Sequence, residues 1–424
     1  MAQRQRRRVE VAADAAANGD ANSTQPQGEE ERDAGAAGDA RHRRNRGARR
    51  QQQQESRPGL CSRCFHIGKY VILLLLLPAI LNHASLFREA EHLKPEGQMY
   101  DVGWNHKLFL SCSGEGSPTV ILDAPTGMSL DVWYLVQTRI AKFTRVCSYD
   151  RAGIGFSERV PLNFTSEERQ VVNPERGQEN TIERMVEDLH YLVTISSDQP
   201  KPFILVGSEL GSLNARFFAQ MYESEVSDIV LIDPLVESLF EVNDGVWNEF
   251  WFEHLVPSLQ SLQLSASIGI MRIALLLGMI EQPITGQVIS DEVQNRQKYL
   301  MCYPRHLSTS VDEHYFINVS LSQIRTVYSV KPFPRDVSVT VITGNYYDEQ
   351  LPSTLNKAWA KAQQHLISNV HPGCKHIVVN GADHHMLYRN PNAVVEPIKK
   401  IVNKWRQRSN NNQEQQQHQN SEQS

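Results

Sequence analysis

The chain has 424 residues, 40% of them hydrophobic, with a net charge of −5. That length exceeds one domain of about 100–200 residues. The weak acidity gives no electrostatic basis for nucleic-acid binding, and no nucleic-acid partner is expected.

Residues 1–60 are rich in Ala, Gly, Gln and charged side chains, with few large apolar ones. Such a segment buries too little surface to offset ordering entropy, and disorder is expected. Its basic cluster, Arg41-His-Arg-Arg-Asn-Arg-Gly-Ala-Arg-Arg50, reads as a solvated stretch, an anionic-lipid contact or an arginine-type retention signal. Cys61 and Cys64 stand where palmitoylation is feasible, and a lone CxxC does not define a zinc site.

An uncharged run begins after Lys69 and ends before Arg88. Its length of about 18 residues meets the minimum for crossing a hydrocarbon core, and Pro78 is tolerable there. The long polar segment ahead of it argues against a cleaved signal peptide and for a signal anchor over residues 69–88. Arg57, Arg63 and Lys69 lie on one side, whereas Arg88 and Lys94 are balanced by Glu89, Glu91 and Glu96 on the other. The positive side stays cytoplasmic, so the following domain is expected to be luminal or extracellular, within the secretory pathway. The sequons at Asn163 and Asn318 agree with that placement. Cys112, Cys147, Cys302 and Cys374 would then be able to form disulfides in three connectivities. The apolar strand run around Cys147 favours a buried unpaired thiol there.

From residue 97 to 407, short β-branched runs alternate with helical patterns. Strands are predicted at 120–122, 146–149, 203–206, 229–232, 339–342 and 377–379. A helix is predicted over 181–195, its apolar face being Ile182, Met185, Val186, Leu189, Leu192 and Val193. Another starts near Ser212. Near-continuous apolar strands alternating with helices imply a doubly wound, mostly parallel α/β sheet. Ligands of such sheets sit beyond the carboxyl ends of the strands. Residues 235–335 are too long for a loop and are predicted to form a helical cap. Within it, Ile268 to Ile280 reads as a buried cap helix, with monotopic contact with a bilayer as the alternative. Trp247, Phe250, Trp251 and Phe252 are read as core, or as lining for an apolar, lipid-like ligand. The Asn/Gln-rich tail, 408–424, is expected to be disordered.

Gly207-Ser-Glu-Leu-Gly211 follows a predicted strand and precedes a helix. This is the setting of a nucleophile elbow, G-x-S-x-G, in which two glycines allow a sharp turn. Their spacing puts position 209, a glutamate, at the apex. Ser208 would need glycines at 206 and 210, where Val206 and Leu210 stand.

Three segments together resemble the α/β-hydrolase superfamily. Asp150-Arg-Ala-Gly-Ile-Gly-Phe-Ser157 is similar to its D-R-x-G-x-G-x-S turn. Phe203-Ile-Leu-Val-Gly-Ser-Glu-Leu-Gly-Ser212 resembles its L-V-G-H-S-L-G-G elbow. Gly381-Ala-Asp-His-His385, leading to Pro391, resembles the late segment that bears the triad histidine. The resemblance implies the α/β-hydrolase fold with His384 as base, His385 being a rim or surface residue. It further implies an acid at Asp348, one residue late in a G-x-x-D pattern, or at Asp233 after the sixth strand. The oxyanion donors would be the Thr126 and Leu210 amides, in a loop stiffened by Pro125. Neither a cofactor nor a metal is implied. With Glu209 at the apex, two function classes stand open. One is a hydrolase of ester, lipid or epoxide-like substrates using Glu209 with His384. The other is a ligand- or partner-binding protein without serine chemistry, its carboxylate curled onto the Leu210 and Gly211 amides and paired with His384.

Overall fold

The computed structural model describes residues 60–103, 105–160, 180–196, 201–284, 289–345, 348 and 351–422. The N-terminal segment before Leu60 and the Asn163 sequon lie outside the described residues.

The polypeptide enters through helix α1, Leu60–His92. Its Gly68–His92 stretch is long and apolar enough to cross a membrane. An eight-stranded sheet follows, built from β1 (Gln98–Asp101), β2 (Lys107–Ser113), β3 (Val120–Asp123), β4 (Val146–Tyr149), β5 (Phe203–Ser208), β6 (Val226–Ile232), β7 (Ser338–Gly344) and β8 (Lys375–Val379). Their spatial order is β1-β2-β4-β3-β5-β6-β7-β8. From β4 to β8 every pairing is parallel, and the six predicted strands are those six. The antiparallel β1 and β2 were not anticipated, β1 being short and polar.

Crossover helices cover both faces: α2 (Tyr134–Ile140), α3 (Ile182–Ile195) and α4 (Leu210–Met221). The predicted face of α3 is the one it buries, and Thr181 stands at its N-cap. Burying six such side chains at about 1.5–3 kcal/mol each anchors the helix. Between β6 and β7 come the cap helices α5 (Val246–Phe250), α6 (Val256–Ser267), α7 (Ile270–Leu276), α8 (Asp291–Met301), α9 (Pro304–Tyr315) and α10 (Ile317–Val330). The chain closes with α11 (Ser353–His365), α12 (Met386–Arg389) and α13 (Pro391–Glu422).

Three expectations need correction. Cys147 is disulfide-bonded to Cys112 rather than a free thiol, while Cys302 and Cys374 are free. The cause is register: antiparallel β2 lies beside β4 with Cys112 directly opposite Cys147. The Ile268–Ile280 element is largely exposed, and only Met271 of α7 is buried. Its apolar residues face outward because Arg272 turns toward Glu89 on α1. The Asn/Gln-rich tail continues α13 as far as Glu422. It holds no Gly or Pro to stop a helix, and Gln is an adequate helix former. Trp247 and Trp251 are core residues, donating to the Leu355 and His314 carbonyls, each at 2.8 Å.

Reducing the Cys112–Cys147 bond should lower stability by about 2–4 kcal/mol, since it closes a loop within one sheet. Thermal scans with and without dithiothreitol read this directly, and an unchanged Tm would refute it.

Candidate active site

At the C-terminal end of β5 the chain turns into α4 through Glu209, whose φ of 46° and ψ of −111° are strained for a residue with a Cβ. Both flanking glycines are obligatory. A Cβ on Gly207 would stand 2.0 Å from the Gly211 carbonyl oxygen, and one on Gly211 2.3 Å from that of Asp123. The turn is tied by the Glu209 amide donating to the Ile232 carbonyl (3.2 Å) and by the Ser212 hydroxyl donating to the Gly207 carbonyl (2.8 Å). Ser208 is the last residue of β5 and only 2% exposed. Glu209 therefore occupies the apex.

Glu209 is half-buried. Burial and the nearby Asp233 charge push its pKa up to about 7, against the opposing pull of His384 and of the Thr126 amide and hydroxyl. The donors that bear on the carboxylate are those of Thr126, not the expected Leu210 and Gly211 amides. The Thr126 hydroxyl completes no full hydrogen bond among the described residues, so this contact is a loose one. The longer glutamate side chain reaches across the turn to the facing loop after β3, beyond its own helix terminus.

His384 is paired through Nδ1 with Asp233. Asp233 follows β6 with a φ of 42°, and its amide donates to the Ile342 carbonyl at 2.8 Å. Its other oxygen accepts from Trp359 Nε1 at 3.0 Å and Gln363 Nε2 at 2.6 Å. Burial alone would raise the Asp233 pKa, but the His384 charge and these donors lower it overall. Burial would likewise lower that of His384, and the Asp233 charge and hydrogen bond outweigh it, raising the imidazole to about 9. The ring stands edge-on to Trp359, their centroids 5.3 Å apart. Gly344 admits the His384 loop to the end of β7, since a Cβ there would stand 2.1 Å from the Ala382 carbonyl oxygen.

The acid paired with His384 is thus Asp233, the alternate of the two expected, in place of Asp348. The Asp348 backbone exchanges hydrogen bonds with the Asn356 side-chain amide, and its charge also raises the His384 pKa. The Asp233 carboxylate is held there by the Trp359 and Gln363 donors of α11 as well as by His384. His385 turns aside to Asp383, which also pairs with Arg389.

Two residues not singled out above hold the oxyanion loop. Arg151, in the D-R-x-G turn, donates to the Ala124 and Pro125 carbonyls (both 2.8 Å) and pairs with Asp123 (2.6 Å) and Glu313 (2.7 Å). Glu313, on cap helix α9, also accepts from the Gly127 amide at 2.6 Å. The cap is thereby hydrogen-bonded to the loop that carries Thr126. Asp123 is completed by the Tyr149 hydroxyl and the Asn214 amide, each at 2.8 Å.

Protonation leaves a stability signature. Glu209 and His384 both have raised pKa values, so the folded state binds more protons than the unfolded chain between about pH 4.5 and 9. Their joint contribution to stability declines as pH rises through that window. Glu209→Gln should remove the Glu209 part. It is expected to stabilise the chain by about 1–3 kcal/mol at pH 8 and by nothing at pH 4, as read by thermal unfolding at both values. Equal effects at the two values would rule this out.

No family model matches the chain. The uncharacterized protein YbdG of Bacillus subtilis (strain 168) is 24% identical over 169 residues, 39% of this chain and 46% of that protein. The chain spans less than half the length of the curated relatives it matches. Among solved structures, epoxide hydrolase I of potato (Solanum tuberosum) superposes with a TM-score of 0.53 at 15% identity, over 73% of this chain and 99% of that one. Cfl2 of Burkholderia cenocepacia gives 0.51 at 14%, over 73% and 98%. At such identities the likeness speaks for architecture alone. The chain has the α/β-hydrolase fold.

Proposed function

We propose that this is a membrane-anchored α/β-hydrolase-fold protein without serine-hydrolase activity, which holds an apolar or lipid-like ligand, or a protein partner. The observation that carries this reading is the Glu209 carboxyl at the elbow apex, turned toward Thr126 and flanked by an imidazole whose pKa is about 9. At neutral pH the imidazole is an imidazolium and is not available as a general base. The carboxylate meanwhile occupies the donor that a substrate oxyanion would need. Pairing through the shared field of Asp233, Glu209 and His384 makes the site stable and chemically quiet.

Support for the anchor comes from α1 and from the excess of basic residues ahead of its uncharged run, Arg57, Arg63 and Lys69. The Cys112–Cys147 disulfide favours an oxidising compartment for the domain, luminal or extracellular. Asn318 is exposed on α10, whereas Ser320 of the same sequon accepts from the Ile182 amide, so glycosylation there would have to precede folding.

A second reading is favoured by one observation: Asp233 retains two donors besides His384, more support than a vestigial acid requires. On that reading the Glu209 carboxylate opens an epoxide, whose alkoxide takes a proton from water, and a glutamyl ester remains; attack on an ester carbonyl would instead expel alkoxide and leave a mixed anhydride. Neutral His384 then activates water to hydrolyse either intermediate. Because His384 must lose its proton, turnover would climb toward pH 9. The test is purified full-length chain with styrene oxide and p-nitrophenyl butyrate between pH 6 and 10. The account expects no turnover of either. Styrene oxide hydrolysis that rises with pH and disappears in Glu209→Gln would establish the second reading instead.

A further inference from the structure

Helices α6 and α7 meet in a bend of 90° at Gly269, and that bend is where the cap touches α1. Gly269 has a left-handed φ of 80°, and a Cβ on it would stand 2.2 Å from the Pro78 carbonyl oxygen. The two backbones therefore meet directly, as small residues allow between helices in lipid. Four residues further along α1, Asn82 is 3% exposed within an otherwise apolar stretch. Its amide hydrogens go to the Ala266 and Cys302 carbonyls at 2.9 and 3.0 Å, at the ends of α6 and α8. Its oxygen accepts from Arg272 Nε at 2.8 Å, and Arg272 makes a two-point ion pair with Glu89 at 2.7 Å. Asn82 and Glu89 of α1 are thus satisfied by the cap, as a polar residue within a bilayer requires.

The remaining surface of both elements is apolar and bare. Leu276, Leu277 and Met279 are 81%, 68% and 73% exposed, an unusual concentration for a water-facing patch. Tyr70 to Leu74 on α1 are also exposed. Pro78 precedes Arg88 by ten residues, or about 15 Å of helix, half of a hydrocarbon core of about 30 Å. Beside Leu276, where α1 leaves its apolar stretch, lies a cavity of about 510 Å³ lined by Arg88, His92, Arg272 and Lys298 with Glu89. Cationic side chains at that level suit phosphate headgroups.

The geometry points to a cap that is itself seated in a phospholipid bilayer. The α6–α7 bend enters the domain-side leaflet alongside α1 as far as its midplane. Leu276, Leu277 and Met279 lie among acyl chains, and the Arg88–Lys298 cavity stands at the phosphates. This rests on the reading of α1 as a membrane span and adds that the cap is a second, monotopic contact beside it.

The test uses the full chain in phosphatidylcholine vesicles that contain a phosphatidylcholine with a diazirine in its acyl chain. After irradiation, adducts are mapped by mass spectrometry. Adducts are expected in both 70–81 and 264–279. The double variant Leu276→Lys, Leu277→Lys should lose at least about fivefold of the cap adducts while keeping those of α1. Adducts confined to α1 would overturn the seating of the cap and leave the anchor standing. Cross-linking of 264–279 to a second copy of the chain would overturn it equally, by naming another occupant. Adducts in neither region would refute the anchor itself, and the inference with it.

Discussion

Glu209→Ser should raise kcat/KM for p-nitrophenyl butyrate by about 10²- to 10⁴-fold over the wild-type chain, a gain within the range that a nucleophile adds to a site already built. Two parts that acyl transfer needs are visible, a tight elbow and an acid-paired imidazole. The elbow geometry is set by Gly207 and Gly211 and does not depend on the residue at the apex. Asp233 holds His384 in position with a hydrogen bond to Nδ1, leaving Nε2 for a hydroxyl. Shortening the side chain withdraws the carboxylate from Thr126 and returns that amide to a substrate oxyanion, together with the Leu210 amide. It also removes one negative charge that raises the His384 pKa, which brings the imidazole closer to the useful range near neutrality. Steady-state assays of both proteins decide the matter. An inert Glu209→Ser protein with unchanged stability would show that the oxyanion loop, stiffened by Pro125, no longer aims its donors.

The largest loss of stability is expected from Arg151→Ala. The guanidinium is fully buried and engages two carboxylates and two carbonyls. Its removal leaves Asp123 and Glu313 as uncompensated buried charges, a change that costs about 3–5 kcal/mol. For a domain of this size that corresponds to a fall in Tm of about 10 °C. Arg151→Lys should recover little of it, since an ammonium does not reproduce the planar fork that serves Glu313 at two points. The Glu209→Ser gain should vanish in this background as well, because the loop carrying Thr126 is braced by the same ions. Differential scanning calorimetry of the single variants checks the first part. A Tm within 2 °C of the wild type, an estimate of ordinary surface-mutation scatter, would contradict it.

How much of this was legible in the residues follows a physical division. Local patterns were readable: β-branched runs for six strands, the 3.6-residue spacing of α3, and the two glycines that fix Glu209 at the apex. His384 was equally local, set by its distance from Pro391. Features that depend on which strands become neighbours were not. Which acid meets His384 depends on how the segments after β6, β7 and β8 assemble, and the Cys112–Cys147 bond depends on β2 lying antiparallel to β4. A turn aspartate before proline and a cysteine in an apolar run look ordinary until those pairings exist. Glu313 was invisible for the same reason, its partner Arg151 being 162 positions away. The carboxylate of Glu209 was expected to fold back on its own helix, and it makes no cap hydrogen bond there, the Thr126 donors acting on it instead. The apolar run at Ile268 read as core, since composition alone does not distinguish an apolar residue facing protein from one facing lipid.

The claim on which the rest depends is that an acid, and no hydroxyl, stands at the turn between β5 and α4. Treating the wild-type chain with a fluorophosphonate and sequencing the peptide that spans residues 203–216 by mass spectrometry tests it most directly. The account predicts an unmodified peptide at every reagent concentration, whereas Glu209→Ser becomes modified at residue 209. A stoichiometric adduct on Ser208 of the wild-type chain would contradict it.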